Sequence, residues 1–223
     1  MPEVIINGPE GRLECRYMPG SKPDAPTAII LHPEPNKRGT MNNRVTFALY
    51  KLFQARGFSV LRFNFRGVGK SQGSYDNGEG ELADAATAMD WLQNQHPASS
   101  ECWIAGFSFG SWIGMQLMMR RPEITGFISI SPPASTHDFT FLAPCPVSGL
   151  IIQGGENSQV SSDRILQLVD KISKQKGVSI DVSIIEEANQ FFSAHLDEAI
   201  EEVSKYVDTR TSHINEPVQT LIG

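Results

Sequence analysis

Six short runs in this chain, "PTAIILH", "FSVLRFN", "CWIAG", "GFISIS", "VSGLIIQ" and "SIDVSII", are largely apolar and rich in β-branched residues. A strand can be apolar on both sides only when both faces of its sheet are covered, which is the condition of a parallel sheet. The segments between them carry the helical period instead. Val45, Ala48, Leu49 and Leu52 fall at i, i+3, i+4 and i+7, as do Leu82, Ala85, Ala86 and Met89, and Ile165, Leu168, Val169 and Ile172. Leu196, Ile200, Val203 and Val207 predict a last amphipathic helix. Strand alternating with helix predicts an α/β fold, with helices on both faces of a mainly parallel sheet. "EVIIN" and "LECRYM" flank the turn "GPEG" and add an antiparallel hairpin, for about eight strands.

Neither a long linker nor a low-complexity tract divides the 223 residues, so one domain is expected over residues 1–207, with 208–223 a loosely held tail. The 25 acidic and 19 basic residues give a net charge of −6 without a run of like charge, which argues against a nucleic-acid partner. The start "MPEVIINGPEGRL" has no basic region followed by an apolar one, and nowhere do eighteen apolar residues run together. A cytoplasmic protein with no membrane partner is expected. Cys15, Cys102 and Cys145 are odd in number and far apart, and the five histidines show no metal-ligand spacing. Buried thiols, no metal and no cofactor are the expectation.

The chemistry is concentrated in "CWIAGFSFGSWIGM", where Ser108 is the centre of Gly-x-Ser-x-Gly between a strand and a helix. The helix carries Trp112, Ile113, Met115, Leu117 and Met118, apolar nearly all round, and should be the most buried of the set. Small residues on both sides of Ser108 let the backbone turn sharply enough to lift its hydroxyl above the sheet edge, as a nucleophile elbow requires. "NFRGVGKS" ends like a phosphate-binding loop, but that motif needs glycine where this chain has Asn64.

With "GFSFG", the segments "ILHPEPNKRGTMNN", "RFNFRGVGKSQGSYDNGEGELAD" and "EANQFFSAHLDE" make the chain resemble the α/β-hydrolase superfamily, and within it the small lidless bacterial proteins like dienelactone hydrolase. The resemblance implies an α/β-hydrolase fold over residues 1–207. It makes Ser108 the nucleophile and assigns the oxyanion-hole N–H groups to Phe109 and, since prolines 33 and 35 have none to give, to Glu34. The connection "PPASTHDFTFLAPCP" is too short for a lid, so an open, shallow pocket is expected.

The same resemblance puts the triad acid at position 157 and the histidine at 190, where this chain has Asn157 and Gln190. A glutamine amide cannot take the proton of a serine hydroxyl, and an asparagine cannot stabilise an imidazolium. Glu34 is a further departure, because a carboxylate opposes a nearby oxyanion. The candidate relocated base is His195, near the start of the last helix; His137 with Asp138 is a second pair, and Glu156 a substitute for Asn157. His32 is expected to brace the oxyanion loop, and His96 and His213 to be helix-end and tail residues.

The leading expectation is a fold with an incomplete triad, weak or absent ester hydrolysis, and a binding role toward a small ester-like ligand or a protein. The alternatives are an active carboxylesterase or thioesterase using Ser108 with a relocated base, and a scaffold subunit of an assembly. A homo-oligomer is left open.

Overall fold

The computed structural model describes residues 3–174 and 176–212; His213 and the rest of the expected tail lie outside the described residues. Strands β1 (Glu3–Gly8), β2 (Gly11–Met18), β3 (Thr27–Leu31), β4 (Ser59–Phe63), β5 (Cys102–Phe107), β6 (Ile124–Ile130), β7 (Gly149–Gly154) and β8 (Ile180–Ile185) form one sheet in the order β1-β2-β4-β3-β5-β6-β7-β8. β2 is antiparallel to β1 and β4, and every other neighbouring pair is parallel. The all-buried runs of β3, β4, β5 and β7 follow from helices covering both faces.

The period-2 alternation of strand side chains divides the core between those faces. Ile29, Leu31, Ile104 and Ile151 pack under α2 (Glu79–Gln95), α3 (Phe109–Met118) and α4 (Ser162–Ile172). Ala28, Ile30, Trp103, Phe107 and Ile152 pack under α1 (Arg44–Ala55) and α5 (Leu196–Thr211). Eight of the ten residues of α3 are buried, including Phe109, Ile113 and Met118, in keeping with its all-round apolar sequence. The β6–β7 connection holds only one turn of helix, Thr140–Leu142, and no lid. All three cysteines are buried free thiols. Among the described residues no helix is long and apolar enough to cross a membrane.

Two expectations are corrected. The last helix continues to Thr211, past the boundary expected after Val207. Asp208 accepts from Arg56 Nε at 2.6 Å, and Thr211 is buried with its hydroxyl donated to the Val207 carbonyl at 2.8 Å. The buried stripe of α2 is also turned from the apolar one: Leu82 and Ala86 are half-buried, while Glu81 and Asp84 are fully buried with Ala85, Ala88, Met89 and Leu92. The reason is polar. Glu81 accepts from the N–H groups of Asp76 (3.0 Å) and Gly78 (2.8 Å), and Asp84 accepts from the Arg66 N–H (3.0 Å), Nε (3.1 Å) and Nη2 (2.8 Å). The loop after β4 is thereby clamped to α2. In the same loop Lys70 donates its N–H to Glu14 (2.9 Å) and its Nζ to Glu3 (2.7 Å), so this lysine is committed to carboxylates of the hairpin and not to a phosphate.

Candidate active site

Ser108 follows β5 directly and precedes the first residue of α3, with φ 53° and ψ −120°. A non-glycine residue at positive φ is strained, and here the surroundings enforce it. The Ser108 N–H donates to the Ile130 carbonyl at 2.9 Å, and its own carbonyl accepts from Ser111 N–H (2.9 Å) and Oγ (2.6 Å). The flanking glycines are obligatory: a Cβ on Gly110 would strike the carbonyl oxygens of Leu31 and His32, and one on Gly106 would strike Gly110. The Ser108 side chain is half-buried, and among the described residues none hydrogen-bonds its hydroxyl.

Ser108 opens on a cavity of about 180 Å³ to which Glu34, Asn157 and Gln190 also contribute. Four segments spread between positions 34 and 190 of the sequence thus bring together the positions expected to carry the chemistry. Asn157 is buried, and its Oδ1 accepts from the N–H groups of Gln159 (2.9 Å) and Val160 (3.0 Å). Gln190 is held through its backbone: its carbonyl accepts from Ser131 Oγ at 3.3 Å, and neighbouring Asn189 folds the loop by accepting from Phe191 N–H (3.0 Å) and Ser193 N–H (3.2 Å).

The oxyanion side is built around His32, which is fully buried. Its Nε2 accepts from the Phe65 N–H at 3.0 Å and its Nδ1 lies 2.6 Å from the Pro33 carbonyl oxygen. The first bond requires a bare Nε2, so the proton is on Nδ1 and is donated to Pro33. Burial, partly offset by that bond, pulls the imidazole down to about 4, and it is neutral at physiological pH. A trans peptide points its C=O and N–H in opposite directions. Fixing the Pro33 carbonyl on the imidazole therefore aims the Glu34 N–H away from it. The Phe109 N–H, first of α3, lacks an intrahelical acceptor and is the other candidate donor. The Glu34 carboxylate is paired with Lys37 at 2.8 Å and accepts from Tyr75 Oη at 3.4 Å; burial first, and Glu34 second, push the Tyr75 phenol up to about 12.

The alternative bases are placed elsewhere. His195 caps the start of α5, does not line the cavity, and faces Glu187 across 3.9 Å. Asp138 gives its carboxylate to Thr140 N–H (2.9 Å) and Oγ1 (2.8 Å) and not to His137, whose ring lies on Trp112 at 4.5 Å between centroids. Glu156 is exposed and outside the cavity. His96 is the C-cap of α2, as expected of a helix-end residue. The cavity also contains two cations the sequence reading missed, Lys37 and Arg38. Arg38 sits at φ 62° after the turn Pro35–Lys37, and the adjacent Gly39 has no room for a Cβ against the Pro33 carbonyl. A pair of cations beside a glycine, "KRG", was the available signal. Among the described residues no group of three or more His, Cys, Asp or Glu is placed to hold a metal ion.

The strand order, the elbow serine and the absence of a lid define a small α/β hydrolase. The chain belongs to the X-Pro dipeptidyl-peptidase (S15) family, whose model matches residues 12–215. It is 49% identical to the uncharacterized protein RP471 of Rickettsia prowazekii over 96% of this chain and 91% of that one. Among solved structures it is similar to a protein of unknown function from Agrobacterium tumefaciens (54% identity, TM-score 0.93, 97% of this chain and 100% of that one). It is also similar to an alpha-beta serine hydrolase homologue from Coxiella burnetii (34% identity, TM-score 0.83, 92% of this chain and 97% of that one).

Proposed function

We infer that this protein binds a small ester-like or carbonyl-bearing ligand at Ser108 and hydrolyses it weakly or not at all. The observation that supports the reading is that the Ser108 cavity is lined by the carboxamides Asn157 and Gln190, at the positions where the resemblance expects an acid and a base. A serine hydroxyl attacks a carbonyl at a useful rate only when a positioned base removes its proton. Among the described residues the one carboxylate lining the cavity, Glu34, is held by Lys37 and Tyr75. What the cavity offers in quantity is donors. The Ser108 hydroxyl, the two amides, Lys37 and Arg38 suit the recognition of a carbonyl or carboxylate oxygen. Peptide hydrolysis of the kind that names the family makes the same demand for a base as ester hydrolysis does. The three buried free thiols accord with work in the reducing cytoplasm.

The test is hydrolysis of p-nitrophenyl acetate by the wild type and by Ser108→Ala, alongside calorimetric titration with an unreactive ester isostere. Equal, near-background rates with saturable binding are expected. A robust rate that disappears with Ser108 refutes the reading and points to a relocated base.

A further inference from the structure

A second cavity, about 350 Å³, opens between α4 and the β6–β7 connection, within the size range of small-molecule sites. One wall is a single face of α4, where Arg164, Leu168, Lys171 and Ile172 follow each other at helical spacing. The other is the segment 134–143, whose Ala134 and Phe139 are buried and make an apolar lining with Leu168 and Ile172.

The charges in this lining are unbalanced. Arg164 donates from Nε to the Ala134 carbonyl at 3.3 Å, which seats the guanidinium against the loop without neutralising it. Lys171 makes no ion pair among the described residues. The lining carboxylate, Asp138, is turned onto Thr140 and keeps its charge, so one negative charge stands against the two cations; burial holds His137 below its ordinary value, and that ring adds no charge at neutral pH.

We propose that this cavity is a second binding site, separate from that at Ser108, for a small amphiphilic carboxylate. Its apolar body packs on Phe139, Leu168 and Ile172, and its carboxylate meets Arg164 and Lys171. A guanidinium fork matches a carboxylate in shape as well as charge. A neutral ligand leaves both cations unpaired. A nucleotide-like polyanion would press charge against the apolar lining without compensation.

The site has a built-in reporter. Trp112 donates Nε1–H to the Asp138 carbonyl at 2.9 Å and contacts the His137 ring at a 60° tilt, so its fluorescence reads the cavity wall. The experiment titrates the full chain with 3-phenylpropionate, following Trp112 emission against a Trp112→Phe control and heat by calorimetry. Saturable binding below about 10 mM is expected, and 3-phenylpropanamide should bind at least about tenfold more weakly. Lys171→Glu, a change at an exposed site that does not threaten folding, should weaken the carboxylate by a similar factor, and Leu168→Trp should fill the cavity and abolish binding. Gln190→Trp, which obstructs the Ser108 cavity, should leave it unchanged. Equal affinity for acid and amide, no saturation, or loss in Gln190→Trp with retention in Lys171→Glu each overturns the proposal. The last result would transfer the ligand to Ser108 and leave the function proposed there standing.

Discussion

Lowering the pH should attack this fold at His32 before it attacks the carboxylates. The imidazole is fully buried and held neutral, with a folded value of about 4 against an ordinary value of 6.5. The unfolded chain therefore binds a proton that the folded one refuses, and stability falls as pH drops from about 6.5 toward about 4. With those two values the linkage integral gives a loss of about 2 kcal/mol between pH 7 and pH 5 from this one residue. Protonation at Nε2 would also cut its bond from the Phe65 N–H and free the β3–α1 loop that carries Glu34. The assay is urea unfolding at pH 7, 6 and 5 for the wild type and for His32→Gln, which has no titrating group. His96 and His137, whose values are also lowered, are common to both proteins and cancel in the comparison. The variant is expected to be less stable at pH 7 but flatter, with the gap closing by about 2 kcal/mol at pH 5. Parallel pH curves would refute the buried neutral imidazole and, with it, the account of how Glu34 is aimed.

Two further outcomes follow from polar groups of the cavity and of the core. Gln190→His and Asn157→Asp should each leave ester hydrolysis near background, and the double variant should gain about 10²-fold in kcat/KM over its Ser108→Ala form, because a base and its orienting acid act as one unit; a double variant that folds and stays at the blank would shift attention to Glu34. Asp84→Ala strands the Arg66 guanidinium, 5% exposed, without its carboxylate, and should cost about 3–5 kcal/mol in urea unfolding; a loss below about 1 kcal/mol would mean that water reaches this pair.

The elements were legible where the apolar period was unbroken, as in β3, β5, α1 and α3. They were less so where polar side chains carry the burial. Thr211 lies one turn beyond Val207, buried like it, but its hydroxyl hides the period that would have extended α5. Glu81 and Asp84 were unreadable as core residues because their partners are backbone N–H groups and an arginine brought in by the loop after β4. At the site, Ser108 was marked by its own motif, whereas Asn157 and Gln190 were found only through a resemblance between whole segments, since an isolated amide carries no local signature. Lys37 and Arg38 are a solvated pair, and only the tight turn Pro35–Lys37 and Gly39 bring them to the edge of the cavity. The cavity behind Arg164 had no sequence signal, because it is formed by the separation of two elements and not by either one.

The two carboxamides beside Ser108 also have a consequence in the genetic code. Asparagine and aspartate codons differ by one base in the first position, glutamine and histidine codons by one base in the third. The Asn157 oxygen that receives the Gln159 and Val160 N–H groups has an equivalent in aspartate, so that substitution keeps the loop's own bonds. The Gln190 loop is shaped by Asn189 and by backbone contacts, not by the glutamine amide. Neither seat is therefore locked by folding. Under the function proposed above, a lineage carrying this scaffold stands two point mutations from an aspartate and a histidine in those seats, and selection for growth on an ester is the setting in which that short mutational path would be travelled.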